Sequence, residues 1–209
     1  VSKGSHGIRI TNSSFITVED CHIHDTADVA VSANVGGSKY EGLVIRRNHI
    51  HHTNGTGEGM YLGCNNDGCQ MFDSLIEGNY VHHTNQSSVS QGDGIEIKQG
   101  SYNNIVRDNV IHDTNYPCIL IYGTAGKAVN LLERNAMWNC GDHGIQAEAD
   151  AIIRNNLVLG AKADGTVPTL PTRWLKAADE RLVLGGVVFE FKHRGGAHPR
   201  GRANRVLQP

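Results

Sequence analysis

The stretch "NHIHHT" at residues 48–53 has two close relatives further along the chain. They are "NYVHHT" at residues 79–84 and "NVIHDT" at residues 109–114. Each begins with asparagine, has a β-branched apolar residue in third place and a histidine in fourth, and ends with threonine. Self-similarity at a step of about 30 residues is typical of repeat architectures, in which each repeat buries its apolar face against its neighbours.

The same unit can be aligned six times before residue 162. Its anchor positions are separated by 27, 31, 30, 26 and 21 residues, and they are Cys21, Asn48, Asn79, Asn109, Asn135 and Asn156. Upstream of each unit lies a short segment with apolar residues at every second place, such as "GIEI" at residues 94–97. An alternation of period two predicts a strand with one inward face. Each repeat therefore has one upstream strand and two more that meet at the anchor.

These repeats predict an all-β fold, a right-handed parallel β-helix (solenoid) of about six coils. No helical pattern of about ten residues is present, which excludes βαβ units, and a strand that pairs with its counterpart in the next coil must be parallel to it. The crossover rule then makes the winding right-handed, with coils about 4.8 Å apart. We expect residues 1–162 to form this solenoid. Residues 163–209 form an atypical C-terminal segment, either a cap or a basic flexible tail, or mark a truncated chain.

The anchor asparagines should lie at a corner of each coil. We expect asparagine to adopt the left-handed backbone conformation there and its amide to bond to the next asparagine in the stack. The resulting internal ladder consists of Asn48, Asn79, Asn109, Asn135 and Asn156.

Histidines in one register should form a column on the outer surface, because they follow an inward-facing apolar residue. The column consists of His24, His51, His82 and His112. Imidazoles could bind a transition metal ion. Side chains that all project in one direction do not converge tetrahedrally, so we predict no metal site here.

The cysteines give weaker signals. Cys64 and Cys69 bracket the loop sequence "NNDG", which predicts either a small disulfide ring in an exported protein or two free thiols. Cys21 and Cys140 occupy the asparagine and threonine places of the repeat, so we interpret them as repeat positions and not as reactive groups.

Net charge and hydropathy exclude two classes of partner. Residues 1–162 contain 11 Lys and Arg against 17 Asp and Glu, and an acidic surface repels nucleic-acid phosphates. No window approaches the roughly 18 consecutive apolar residues of a membrane span, and no signal peptide is visible. We expect a monomer without a nucleic-acid partner and without a membrane span.

A polar surface patch is predicted around "QGDGIEIKQGSYNN" at residues 91–104. If Ile95 and Ile97 face inward, Glu96 and Lys98 face outward. Stacking the coils adds neighbours to give a patch of Tyr61, Asp93, Glu96, Lys98, Tyr122, His143, Gln146 and Glu148. Aromatic rings stack on sugars while charged groups and amides bind hydroxyls and carboxylates, so this patch suits a polysaccharide. Alternatively, Glu96 and Lys98 form a solvent-exposed ion pair worth under about 1 kcal/mol.

The "NxI" corner and "DGI" strand resemble the coils of the pectate-lyase-like superfamily of right-handed β-helix proteins, across about residues 4–161. "GIEIKQGS" at residues 94–101 is similar to the "E-I-x-x-K-S" strand of alginate lyases and chondroitinase B, which implies Lys98 as the base. The arginine acid of those enzymes has no counterpart. The matching strand, "CILIYG" at residues 118–123, places Tyr122 beside Lys98 as the candidate acid. Polygalacturonases are matched only in part, by Asp93 and His143, without an "RIK" motif.

The resemblance implies a polysaccharide lyase that acts on uronate polymers by β-elimination. The candidate catalytic residues are Lys98, Tyr122 and Glu96. Lys98 is either the base or the cation that neutralises the uronate carboxylate, a role that Ca²⁺ could share through Asp93, Glu96 and Glu148. The alternative is a non-catalytic β-helix that binds glycans or forms a surface scaffold. Either protein would be secreted, periplasmic or on the cell surface.

Overall fold

The computed structural model describes residues 4–161 and two further strands, Arg181–Leu184 and Val187–Glu190. Residues 4–161 wind into a right-handed parallel β-solenoid, which confirms the predicted fold. The one helical element in the described part of the chain is the 3-10 turn Asn65–Asp67. Within the same part, no helix has the length and apolarity needed to cross a membrane.

Three six-stranded parallel sheets form the walls of the solenoid. Sheet 1 contains β1 (Ile8–Arg9), β4 (Val31–Ala33), β8 (Met60–Leu62), β12 (Ile95–Ile97), β15 (Ile119–Ile121) and β18 (Ile145–Ala147). Sheet 2 contains β2 (Thr17–Glu19), β6 (Val44–Arg46), β10 (Leu75–Glu77), β13 (Ile105–Arg107), β16 (Asn130–Glu133) and β19 (Ala151–Arg154). Sheet 3 contains β3 (His22–His24), β7 (His49–His51), β11 (Tyr80–Thr84), β14 (Val110–Thr114), β17 (Ala136–Cys140) and β20 (Leu157–Leu159). A parallel pair, β5 (Lys39–Glu41) and β9 (Gln70–Phe72), lies outside these sheets.

The core lies between the three sheets, where the inward side chains of successive coils stack in columns. In sheet 3 the second residue of each of the first five strands points inward and is buried: Ile23, Ile50, Val81, Ile111 and Met137. The in-register pairing of β-branched and other aliphatic side chains removes this apolar area from water. The same register fixes which outward residues lie above one another.

The predicted asparagine ladder is present. The side-chain amide of Asn48 donates to Oδ1 of Asn79 at 3.0 Å, and the contact is repeated through Asn109 and Asn135 to Asn156. The predicted left-handed conformation of these asparagines is wrong, because it belongs to the residue before each of them, such as Arg47 with φ 53°. The preceding residue makes the turn, so the asparagine amide remains aligned with the axis of the stack.

The described residues contain two disulfides, one of which was among the alternatives predicted from the sequence. Cys64 and Cys69 are bonded, as one of the two predicted alternatives had it. Cys140 occupies the threonine column, opposite Thr114, but it is also bonded to Cys118. The interpretation of Cys140 as a repeat position alone was therefore incomplete. Cys21 is a free thiol that ends the asparagine column, and its backbone N–H donates to Asn48 Oδ1.

The chain divides into two compact units, Val1–Val167 and Pro168–Pro209. Within the second unit, the strands β21 (Arg181–Leu184) and β22 (Val187–Glu190) form an antiparallel pair. The choice between a cap and a basic tail for residues 163–209 otherwise falls outside the described residues and stays a prediction.

Candidate functional site

The outer face of sheet 1 carries a buried ion pair. Ile95 and Ile97 face the core, which turns Glu96 and Lys98 to the outside, as predicted. Lys98 Nζ lies 2.5 Å from Glu96 Oε1, yet the two residues are only 5% and 2% exposed. The alternative prediction of a solvent-exposed pair is therefore wrong, because residues of the neighbouring coils cover it.

Two tyrosines form this cover. Their ring centroids lie 4.9 Å (Tyr61) and 4.6 Å (Tyr122) from Lys98 Nζ, at distances where the ammonium is attracted to the faces of the rings. Both tyrosines remain half-buried. Gly63, on the preceding coil, leaves room for the lysine, since a Cβ at that position would lie 3.1 Å from Lys98 Cβ.

The charge of Lys98 depends on Glu96. Burial disfavours the ammonium form, but the hydrogen bond and the negative charge of Glu96 outweigh burial, so the pKa of Lys98 is raised. Lys98 therefore carries a full positive charge at neutral pH. Burial also raises the pKa of Glu96, although the positive charge of Lys98 partly offsets this effect.

Two further carboxylates lie beside this pair. Glu58 and Asp93 are equivalent residues of successive coils, and both are almost fully buried. Burial raises the pKa of Glu58, and it raises the pKa of Asp93 to about 8 with the help of the charges of Glu96 and Glu58. One oxygen of each of the three acids, Glu58 Oε1, Asp93 Oδ1 and Glu96 Oε2, is buried without a hydrogen-bond partner. Protons or a cation must offset so much buried negative charge.

A calcium ion fits these oxygens better than the predicted set. One carboxylate oxygen from each of Glu58, Asp93 and Glu96 lies within 4.8 Å of the others, and Ca²⁺ prefers such ligands. The prediction that Glu148 completes the set with Asp93 and Glu96 is wrong. Glu148 is exposed on a later coil, where it accepts a hydrogen bond from Gln146 at 2.9 Å.

The predicted patch consequently divides into two parts. Tyr61, Asp93, Glu96, Lys98 and Tyr122 form the close group, to which the structure adds Glu58. Gln146 and Glu148 flank Tyr122 one coil further along, and the charge of Glu148 contributes to a raised pKa of Tyr122, which burial chiefly causes. His143 does not join the close group, because it is exposed and paired with Asp142 at 2.8 Å.

Sequence reasoning missed Glu58, although the signal was present. "GEGMYLG" at residues 57–63 aligns with "GDGIEIK" at residues 92–98, so the glutamate stands where the later coil has Asp93. The register of Met60 with Ile95 confirms this alignment.

A second group of ionisable residues lies on the outer face of sheet 3. The predicted histidine column is present, with ring centroids 5.0–5.1 Å apart, and it consists of His24, His51, His82 and His112. A parallel column, which the sequence analysis missed, consists of His22, His49 and Tyr80. Burial, assisted by neighbouring imidazoles, lowers the pKa of His51 to about 4. The prediction that the histidine side chains all project in one direction is wrong, because the two columns lean towards each other.

Comparisons with known proteins agree with the fold. Residues 38–168, more than half of the chain, match the protein family described as right-handed beta helix region. No curated protein matches the sequence. Among solved structures, the crystal structure of pectate lyase Pel9A matches with a TM-score of 0.40 and 12% identity, over 99% of this chain and 67% of that chain. A likeness at this level gives no information about activity.

Proposed function

Because the chain belongs to the right-handed β-helix family, in which outward side chains of successive coils lie side by side, we propose that it binds an acidic polysaccharide on sheet 1 and cleaves it by β-elimination. The observation that carries this proposal is the cationic Lys98 held between two tyrosine rings, beside buried carboxylates with unsatisfied oxygens.

The proposed substrate class follows from the chemistry of this group. Half-buried Tyr61 and Tyr122 offer aromatic faces and hydroxyl groups to a sugar chain. Lys98, between them, supplies the positive charge that a uronate carboxylate needs when it is desolvated. A neutral glycan would offer Lys98 no negative charge in addition to that of Glu96.

β-Elimination requires a cation that neutralises the uronate carboxylate, a base that removes the adjacent proton and an acid that protonates the leaving oxygen. A base must be unprotonated, whereas the raised pKa of Lys98 keeps this side chain charged at neutral pH. We therefore assign Lys98 to neutralisation and not to the base role that the resemblance to alginate lyases implied. Glu58 and Asp93 could hold Ca²⁺, which would add further positive charge while leaving Glu96 unliganded.

Glu96 suits the base role because its basicity is coupled to Lys98. In the free protein burial raises the pKa of Glu96, and the ammonium of Lys98 partly offsets this effect. When a uronate carboxylate attracts Lys98, Glu96 loses part of this interaction and becomes a stronger base. Its carboxylate takes the proton, the electron pair forms the new carbon–carbon double bond, and the glycosidic bond breaks. Tyr122, whose raised pKa keeps it protonated, donates its proton to the leaving oxygen.

The test is incubation of the protein with polygalacturonate, alginate and glycosaminoglycans, with and without Ca²⁺. We expect the ultraviolet absorbance of an unsaturated uronate product to rise with one of these polymers. Lys98→Gln, Glu96→Gln and Tyr122→Phe should each abolish the rise. Lys127→Gln is the matched control, because Lys127 also lies over a tyrosine ring, that of Tyr102 at 4.6 Å, but belongs to the segment between β15 and β16 and not to the close group.

A non-catalytic glycan-binding protein is the second candidate. It is favoured by the low exposure of the Lys98 side chain, 7%, and by its existing pairing with Glu96. Retained binding to a uronate polymer without any unsaturated product would support this candidate and exclude the lyase. The absence of both binding and product would exclude both.

We also propose that the protein acts outside the cytosol, as a secreted, periplasmic or cell-surface protein. Two disulfides within one solenoid support this location, since disulfides persist in oxidising compartments.

A further inference from the structure

The outer face of sheet 3 carries a cluster of imidazoles that is not part of the proposed sugar site on sheet 1. His22 stacks on His49 with ring centroids 4.6 Å apart and an interplanar angle of 2°, while His24 stacks on His51 in the adjacent column. All four rings are half-buried, so each remains accessible from solvent.

Nitrogen atoms of the two columns point at each other. His22 Nε2 lies 2.7 Å from His51 Nε2, which belongs to the next coil. His49, which stacks on His22, contributes a third nitrogen, and the ligand atoms of His22, His49 and His51 all lie within 4.8 Å of one another. The convergence arises because the columns are offset by one coil, so a ring of one column faces the gap between two rings of the other.

Few movements would turn this convergence into a coordination site. Zinc binds imidazole nitrogen at about 2.0–2.1 Å, and tetrahedral angles then separate two ligand nitrogens by about 3.3 Å. His22 Nε2 and His51 Nε2 would have to separate by about 0.6 Å from their present 2.7 Å, which small side-chain rotations can supply.

A further imidazole orients one of these rings. His51 Nδ1 lies 2.6 Å from His52 Nδ1, so its δ nitrogen is engaged while its ε nitrogen faces His22. Metal-binding histidines usually have such a hydrogen-bonded partner on the nitrogen that does not bind the ion.

We propose that His22, His49 and His51 form a binding site for one divalent transition metal ion that prefers imidazole ligands, of the Ni²⁺, Cu²⁺ and Zn²⁺ series. Three protein ligands leave a coordination position open to solvent or to a partner molecule. The site is separate from the carboxylates of sheet 1, which offer only oxygen ligands.

A second set of possible metal ligands lies nearby and must be removed by mutation before the proposal is tested. His83, His112 and Asp113 also bring their ligand atoms within 4.8 Å of one another. Because His83 has φ 53°, His83→Asn is the suitable background, since asparagine tolerates this conformation. Excess Ca²⁺ in the buffer occupies any site built from carboxylates.

The experiment is a calorimetric titration of this variant with Zn²⁺, after removal of any affinity tag and of bound metal. We expect one ion per chain, and His22→Gln or His51→Gln should weaken binding by more than about tenfold. His52→Asn, which removes the orienting imidazole but not a ligand, should weaken it by about 10- to 100-fold. His143→Gln, a change at an exposed histidine outside sheet 3, should leave the affinity unchanged.

X-ray absorption at the zinc edge gives a measurement that does not depend on how the ligand variants fold. With one equivalent of Zn²⁺, we expect three imidazole nitrogens at about 2.0–2.1 Å. A spectrum with oxygen ligands alone would overturn the proposal, as would an unchanged affinity in folded His22→Gln and His51→Gln proteins.

Discussion

Asn79 and Asn109 are joined by two hydrogen bonds, since Oδ1 of Asn109 accepts from both the backbone N–H and the side-chain amide of Asn79, each at 2.9 Å. The amide of Asn109 in turn donates to the carbonyl of Ile76 and to Oδ1 of Asn135. One buried side chain therefore connects three coils. The stability of the solenoid should depend on it more than on any surface asparagine.

Asn109→Ala should lower the free energy of unfolding by about 3 kcal/mol, because it leaves the buried N–H of Asn79 without its acceptor and removes a donor to the carbonyl of Ile76. Chemical denaturation followed by circular dichroism measures this loss. Asn85→Ala, at an exposed position, is the control and should change stability by less than about 0.5 kcal/mol. Equal losses in the two variants would contradict the role of the ladder.

Asp93→Asn should stabilise the protein, and increasingly so as the pH rises. The folded state holds the proton of Asp93 up to a pKa of about 8, whereas the unfolded chain releases it near pH 4. Between these values the folded state binds more protons, so the wild-type protein loses stability as the pH rises through this window. Asparagine at this position cannot ionise, and the variant escapes that loss.

Thermal unfolding at pH 5 and pH 8 in Ca²⁺-free buffer measures the effect of Asp93→Asn. The difference in midpoint between variant and wild type should be larger at pH 8. Asp150→Asn, a change at an exposed carboxylate, serves as the control. An equal difference at the two pH values would show that Asp93 is already ionised at pH 5 in the folded protein.

Loss of the disulfide Cys118–Cys140 should cost about 3 kcal/mol, and loss of Cys64–Cys69 about 2 kcal/mol, because the first closes a longer loop in the unfolded chain. The double variant Cys118→Ala, Cys140→Thr tests the first figure and restores the threonine of the column. Denatured protein should also show one reactive thiol before reduction, that of Cys21, and five afterwards. A count of three before reduction would show that one of the two disulfides is absent, and a count of five that both are absent.

Lys98→Gln should destabilise the protein by about 3 kcal/mol, because it leaves Glu96 buried without its cation. Adding Glu96→Gln should recover part of this loss, since no unpaired charge then remains. Lys127→Gln, at an exposed lysine, should cost less than about 0.5 kcal/mol. Denaturant midpoints of the four proteins form the comparison. If the double variant were less stable than Lys98→Gln, unpaired charge would not be the cause.

The sequence was sufficient to predict the fold, the ladder and the histidine column. All three follow from residues that recur at the same place in successive coils, such as Asn48 and Asn79, and in-register stacking converts such recurrence directly into contact. The backbone conformation at the corner was mispredicted because asparagine is a common turn residue, whereas the residue before it is of that kind in some coils, such as Gly78, but an arginine in others, such as Arg47.

The candidate sites needed three-dimensional information. That Glu96 and Lys98 face outward follows from alternation, but their burial depends on how the rings of Tyr61 and Tyr122 fold over them. Similarly, the contact between His22 and His51 joins different positions of different coils, so neither alternation nor repeat alignment predicts it. The pairing of Cys118 with Cys140 could not be predicted for the same reason, because it crosses a corner between sheets.

The chain takes 31 residues to pass from Asn48 to Asn79 but only 21 to pass from Asn135 to Asn156, while the amide contact is 3.0 Å in the first case and 2.9 Å in the second. The spacing between successive coils is thus independent of the number of residues in the loops that protrude between neighbouring asparagines of the ladder. This property makes the protruding loops natural places for grafting foreign peptides, because a longer excursion changes what the surface displays without shifting the rungs beneath it.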